Sequence, residues 1–240
     1  SGSLLSYISG SLHNGVNTMQ TAVYTIRPTS ENCGENNPFT LTVYVNPKPV
    51  ITQINTVICS GGTFVVSPTN ITNGIVPQNI VYRWGVPTIS NSLTGGASDT
   101  GKPFISGTLL NTSNVTQTAT YIVTPTGTVG NCEGTSFTVV VTVNPGGYIN
   151  AMSTTVCSGY TFAVSPRDGI NGVVPDNTTY TWGLPSYNGV SISGGGTGTE
   201  LTVISGTLFN GANYTQSATY IITPNIINCG PGSKIGRAHV

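Results

Sequence analysis

Only 6% of the 240 residues are charged, against about 25% in an ordinary globular protein, and seven Lys and Arg balance seven Asp and Glu. So neutral a chain has no electrostatic footprint for nucleic acid or an anionic membrane surface, and no apolar run approaches the roughly 18 residues of a membrane span. Thr, Ser, Asn and Gly fill the polar positions instead, which is the composition of an extracellular all-β protein.

Along the chain the same landmarks return about every 98 residues, so the repeat sets the domain organisation. The first unit, residues 1–47, reads as the C-terminal part of a repeat. It carries predicted strands at Ile8–Leu12 (ISGSL), Thr21–Pro28 (TAVYTIRP) and Phe39–Val45, and ends at Asn46-Pro47. The second, residues 48–145, is complete, with strands at Thr63–Pro68, Ile80–Trp84, Ile105–Leu109 (ISGTL), Thr118–Pro125 (TATYIVTP) and Ser136–Val143, ending at Asn144-Pro145. The third, residues 146–233, repeats the pattern at Thr161–Pro166, Thr179–Trp182, Ile204–Leu208 (ISGTL) and Ser217–Pro224 (SATYIITP), and lacks its last strand. Turn clusters at Asn73-Gly74, Asn171-Gly172 and Gly194–Gly196 separate these runs, and no segment sustains a 3.6-residue apolar period.

About seven short strands per unit, with one Trp in the third strand, predict tandem immunoglobulin-like β-sandwiches of all-β class. Trp84, Trp182, Tyr24, Tyr121 and Tyr220 recur within strands and are predicted core residues. Asn-Pro followed at once by the next unit leaves almost no linker, and proline stiffens it, which favours a head-to-tail rod. The sequence opens inside a repeat, without an initiator Met or signal peptide, and so reads as a fragment or processed piece.

The pattern breaks at Lys234, where Phe137 of the second unit should recur. Ile235–Val240 matches the translation of a common sequencing-library adapter (ATC GGA AGA GCA CAC GTC). Residues 234–240 are therefore expected to be a non-native tail.

Five cysteines are explained by two per unit. One stands in a Cys-Ser-Gly turn (Cys59, Cys157) and one in the loop before the last strand (Cys33, Cys132, Cys229). Fixed positions and the absence of a Cys-x-x-Cys pair point to a disulfide framework in an oxidising compartment rather than a metal site. Pairing within units would give Cys59–Cys132 and Cys157–Cys229. Strand parity weighs against it: in a seven-strand sandwich those two loops lie at opposite ends, a strand length or roughly 26 Å apart, while disulfide Cα atoms need about 7 Å or less. In a head-to-tail rod the first turn of one unit faces the last loop of the next, which favours an inter-domain Cys59–Cys229 staple.

Nothing in the sequence assembles a catalytic, metal or cofactor site. His13 beside Asn14-Gly15 reads as a solvated turn histidine, without the base-and-acid arrangement of a triad. The acids Glu31, Glu35, Asp99, Glu133, Asp168, Asp176 and Glu200 do not recur at equivalent positions, so a repeated carboxylate pair for glycoside hydrolysis is missing. Asp168 and Asp176 flank one loop, where the second unit has Thr69 or Asn70 and Gln78, which argues against a repeated calcium site. Gly194–Gly196 lacks the Gly-Lys-Ser/Thr ending of a phosphate loop. Trp84, Trp182, Tyr121 and Tyr220 could serve as sugar-stacking platforms but are core residues first. Asn70, Asn111, Asn114, Asn177 and Asn213 begin Asn-x-Ser/Thr triplets, at about the frequency chance gives. Surface Thr and Ser are candidates for O-linked sugars.

Five segments, Val57–Phe64 (VICSGGTF), Tyr82-Arg83-Trp84, Ala119–Pro125, Asn131–Gly134 and Phe137–Pro145, resemble the PKD-like repeats of large Bacteroidota surface proteins. The best-known of these are the gliding-motility adhesins exported by the type IX secretion system. The resemblance implies an Ig/PKD-like sandwich at the cell surface with a role in adhesion or as a stalk. It supplies no catalytic residues. The sequence thus points to a non-catalytic segment of an adhesin stalk or surface fibre, with neighbouring repeats, copies of itself and surface glycans as candidate partners. The alternatives are a self-assembling filament subunit completed by strand donation and a non-catalytic carbohydrate-binding module.

Overall fold

The computed structural model describes residues 5–32, 34–231 and 235–239. In the first unit β1 (Gln20–Ile26) and β2 (Phe39–Val45) form a two-stranded antiparallel sheet, from Gln20 opposite Val45 to Ile26 opposite Phe39. The second unit contributes β3 (Ile54–Cys59), β4 (Thr63–Val66), β5 (Ile80–Trp84), β6 (Leu93–Gly95), β7 (Asp99–Lys102), β8 (Ile105–Asn111), β9 (Gln117–Gly127) and β10 (Phe137–Asn144). These make two sheets, one ordered β7-β5-β9-β10-β3 and the other β6-β8-β4. The third unit repeats them with β11 (Met152–Ser153), β12 (Thr161–Val164), β13 (Thr179–Trp182), β14 (Ile192–Gly194), β15 (Gly198–Leu201), β16 (Ile204–Asn210), β17 (Ser217–Ile226) and β18 (Ile235–His239). Its sheets run β11-β18-β17-β13-β15 and β12-β16-β14. All regular structure among the described residues is extended.

The alternation read from the sequence is what builds the core. Along β10, Phe137, Val139, Val141 and Val143 are buried while the Thr and Val between them are only half covered. Facing them on β9 are Ala119, Tyr121 and Val123, and the opposite sheet adds Phe64, Ile105 and Leu109. Trp84 lies opposite Val123 and is buried, as are Trp182, Tyr121 and Tyr220. The third unit buries the equivalent set, Phe162, Tyr180, Trp182, Ile204, Leu208 and Tyr220.

Two sequence expectations for the first unit are corrected. Tyr24 is 39% exposed and Phe39 is 50% exposed, so Tyr24 is not a core residue there. Ile8–Leu12 forms no strand and is exposed. The cause is shared: among the described residues no second sheet packs on β1 and β2, and a strand without a partner does not form. Tyr121 and Ile105–Asn111, the counterparts in the second unit, are covered by β4 and its neighbours.

Several strands were not assigned from the sequence, β3 and β18 among them. β3 runs parallel to β10, from Ile54 beside Val139 to Cys59 beside Asn144. In the third unit the backbone of Ile235–His239 pairs with β17 and with β11, with a register shift at Tyr220/Ile221, although the repeat pattern stops at Ser233. Ladder bonds come from the main chain, so a segment whose residues depart from the repeat can still fill the place of a closing strand.

Candidate functional site: a stapled junction between units

Cys59 ends β3 and opens a tight turn through Ser60, Gly61 and Gly62, in which Gly61 has a φ of 78°. A hydrogen-bond frame fixes this turn. Ser60 Oγ donates to the carbonyl of Asn111 (2.8 Å) and accepts from its backbone N–H (2.9 Å), and the Ser60 N–H donates to the Asn144 carbonyl. Asn111 is 3% exposed, and its side-chain amide donates to the carbonyls of Val115 (2.8 Å) and Val143 (3.0 Å) while its Oδ1 accepts from the Ser113 N–H (2.9 Å). One asparagine thus ties the loop after β8 to the end of β10.

The same clamp recurs in the other units. Asn14 donates to the carbonyls of Thr18 and Val45 and accepts from Val16. Asn210 donates to the Tyr214 carbonyl and accepts from Ala212, and Ser158 brackets Asn210 as Ser60 brackets Asn111. Sequence reading considered Asn111 only as the start of a glycan triplet. Burial with both amide hydrogens engaged excludes Asn111 as a glycan acceptor in the folded unit, which corrects that expectation. The usable signal was the recurrence of Asn two residues after the Leu of ISG[ST]L, at Asn14, Asn111 and Asn210. Asn177 and Asn213 are exposed, and Asn70 and Asn114 half-buried.

The structure joins Cys59 of the second unit to Cys229 of the third, with Cα atoms 5.6 Å apart and 170 positions between them in sequence. Cys229 ends the turn after β17, its N–H donating to the Ile226 carbonyl. The parallel pairing of β3 and β10 places Cys59 beside the end of β10 and Cys132 beyond its start, roughly 26 Å of strand away. Around the bridge, Asn114–Thr116, Asn144 and Pro145 of the second unit share a cleft with Pro175–Asn177 and Ile226–Asn228 of the third. The junction before it is built from matching residues: Asn17–Met19, Asn46 and Pro47 against Pro77–Asn79, Gly127 and Val129. Cys132, half-buried, and Cys157, exposed, are free thiols, and Cys33 lies outside the described residues.

Other candidates fall into structural places. The indole N–H of Trp84 donates to the Ala97 carbonyl (2.9 Å) and that of Trp182 to the Gly196 carbonyl (3.1 Å), so both buried rings face inward rather than offering a sugar platform. Asp168 Oδ1 accepts from the Val174 N–H as Asn70 Oδ1 does from Val76, a loop brace that needs no metal. Among the described residues no three His, Cys, Asp or Glu side chains come together as a metal site would require. His13 is exposed, and the Arg83–Glu133 pair (3.0 Å) is exposed on both sides. The hydroxyls of Tyr121 and Tyr220 lie against the glycines of the ISGT segments, where a Cβ at Gly107 or Gly206 would come within 3.1 Å of them. The hydroxyls of Tyr121 and Tyr82 have no protein hydrogen-bond partner. Burial pushes the Tyr82 and Tyr121 phenols up to about 12.

The family model for the PKD-like domain matches residues 3–49 and 55–147, more than half of the chain and both of its first two units. The chain belongs to the PKD-like domain family. The third PKD-like unit is recognised by its internal identity to the second, down to the ISGTL segment and the inward Trp. No curated protein matches. Among solved structures, the endo-fucoidan hydrolase MfFcnA4 from glycoside hydrolase family 107 aligns at 8% identity over 91% of this chain and 34% of that one, with a TM-score of 0.25. A substituted form of the same enzyme gives 7%, 97%, 38% and 0.26. This chain spans little more than a third of the length of those structures, and at such TM-scores neither fold nor activity follows. Among the described residues no helix is long and apolar enough to cross a membrane.

Proposed function

We propose that these PKD-like units form a non-catalytic, head-to-tail stalk or fibre segment of an extracellular surface protein, of the kind found in large Bacteroidota adhesins. The observation that carries the reading is the disulfide between the second and third units, which restrains one unit against the next rather than bracing either internally. A structural disulfide supports an oxidising compartment, and the extracellular side is the one this reading takes. The exposed area supports an extended arrangement: 14120 Å² for a 24.8 kDa chain, where one globule of that mass exposes about 10,000 Å². Small-angle scattering tests it. A single globule of this length has a radius of gyration of about 18 Å. Three units in line, each set by an eleven-residue strand of about 36 Å, give about 30 Å. A value below about 22 Å would remove the rod.

A second reading, a filament subunit completed by strand donation, is favoured by one observation. The inward-facing side of β1 and β2 is uncovered, with Tyr24 and Phe39 in solvent, and a strand pair from another copy would bury it. Electron microscopy separates the two: ordered polymers with a subunit repeat support donation, and isolated rods support the stalk.

A further inference from the structure

In an Asn-Gly pair the glycine nitrogen can close a succinimide ring on the asparagine side-chain carbon, because glycine has no side chain to hinder it. The chain has five such pairs, beginning at Asn14, Asn73, Asn171, Asn188 and Asn210. Four of these asparagines are tied into the fold. Asn14 and Asn210 are clamp residues, whose Nδ2 donates to main-chain carbonyls and whose Oδ1 accepts a main-chain N–H. Asn73 Oδ1 accepts from the Thr69 N–H (2.8 Å) and Asn171 Oδ1 from the Arg167 N–H (2.9 Å). The glycines after these two sit in strand pairs, Gly74 opposite Ile51 and Gly172 opposite Ile149. Before a ring can close, each of these four side chains must give up at least one hydrogen bond.

Asn188 is held by nothing comparable. It ends a three-residue strand, Ser186–Asn188, paired with β17, with Asn188 opposite Ser217. Asn188 and Gly189 are exposed, and Val190 beyond them is 93% exposed. Among the described residues neither the Asn188 amide nor the Gly189 N–H makes a hydrogen bond. The second unit has Ser90-Asn91 in this place, and its Ser90 hydroxyl donates to the Thr118 carbonyl. Ring closure requires the Asn188 main chain to leave the extended conformation. Here that breaks only the last rung of a short strand, the kind of local opening that costs least.

We propose that Asn188 is a site of spontaneous deamidation, and that the fold protects the other four asparagines. The Gly189 nitrogen attacks Asn188 Cγ. The N–Cγ bond forms, the Cγ–Nδ2 bond breaks, and the amide leaves as ammonia with the proton that the nitrogen gives up. Water then opens the ring. Attack at Cγ yields aspartate. Attack at the main-chain carbonyl carbon yields isoaspartate, in which the chain runs through Cγ and gains an extra backbone carbon. Either product puts a carboxylate where a neutral amide stood, and isoaspartate also removes the rung at Ser217 from register.

The test incubates the full chain in mildly alkaline buffer and follows all five Asn-Gly peptides by mass spectrometry, with isoaspartate located by electron-transfer fragmentation. Digestion is kept acidic so that no new rings form. The Asn188 peptide should convert at least about tenfold faster than any of the other four, which must first break hydrogen bonds. In urea the five rates should converge, because the protection is conformational. Asn188→Ser should remove the fast phase and leave the four slow peptides unchanged. Equal rates in native buffer, faster conversion at any of the other four, or a rate order that survives urea would overturn the proposal.

Discussion

Tension applied to the two ends of this chain should pass most of it by. With Cys59 bonded to Cys229, the covalent path runs from Ser1 to Cys59, across the bridge, and out from Cys229 to Val240. The 170-residue separation between the two cysteines closes a loop that carries no force. At about 3.6 Å per extended residue that loop withholds about 600 Å of contour, leaving about 250 Å to be released from the segments outside it. Optical tweezers with handles at both termini read this directly. The oxidised protein should release about 250 Å and the reduced protein about 850 Å on the same per-residue length. Cys59→Ser or Cys229→Ser should restore the longer value without reductant, and Cys132→Ser should change nothing. Pairing within units would behave differently: a Cys59–Cys132 bridge locks about 70 residues, and Cys132→Ser would release about 250 Å. Equal release before and after reduction, or a change on replacing Cys132, would refute the reasoning.

Four further outcomes are expected. Cys229→Ser should lower the stability of the stapled units by about 2–4 kcal/mol, near but below the roughly 5 kcal/mol that closing so long a loop allows, and Cys59→Ser added to it should cost nothing more in calorimetry. Asn111→Ala should cost about 2–4 kcal/mol in urea unfolding, because it strands the buried Val143 carbonyl, whereas exposed Asn213→Ala should stay within about 0.5 kcal/mol. Gly107→Ala should cost about 1–3 kcal/mol by pressing a methyl on the Tyr121 hydroxyl and the Phe64 ring, and Tyr121→Phe should recover part of it, since that hydroxyl has no protein partner to lose. Raised phenol pKa values near 12 for Tyr82 and Tyr121 mean the folded state holds their protons after the unfolded chain has released them near pH 10. Their contribution is therefore complete below pH 10 and lost between pH 10 and 12, so unfolding midpoints should fall across that window while absorbance at 295 nm shows late-titrating phenols, to which burial of Tyr180 and Tyr220 adds in the same direction. A flat midpoint from pH 9 to 12 would count against the burial of those rings.

What the sequence disclosed and what it withheld divide along a physical line. Phe137, Val139, Val141 and Val143 announce a half-buried strand because side chains alternate with a period of two whatever the strand pairs with. The Cys59–Cys229 pairing was reachable because strand parity is a property of topology, and two loops at opposite ends of a 26 Å strand cannot share a disulfide. By contrast, Ile8–Leu12 (ISGSL) matches its ISGTL counterparts in the other units at four of five letters, yet forms no strand where its partner is missing. Tyr24 holds the tyrosine position of TATYIVTP, a core residue in the other units, and is partly in solvent for the same reason. Asn111 was misread because an Asn-x-Ser triplet says nothing about burial, and only the backbone at Val115 and Val143 shows why the amide is there. β3 escaped assignment because Ile54, Thr56 and Ile58 alternate weakly and pair in parallel with a strand some 85 positions on.

The placement of the two cysteines at opposite ends of a unit has a consequence that a bridge within a unit could not produce. Cys132 and Cys157 both lie inside the loop that Cys59 and Cys229 close. In an array that repeats this bridge from each Cys-Ser-Gly turn to the last loop of the following unit, successive loops overlap, and no unit lies outside all of them. The only backbone left under tension between one bridge and the next is the stretch of about 25 residues from Cys132 to Cys157, which is β10, the Asn144-Pro145 junction and the strand edge that follows, about 90 Å at full extension. Bridges within units would protect each sandwich but leave every junction free to pull apart and bend. Overlapping bridges restrain the junctions themselves, so stiffness and resistance to unravelling come from the same bonds. That arrangement suits a fibre pulled from its tip better than a sandwich that must hold a ligand in place.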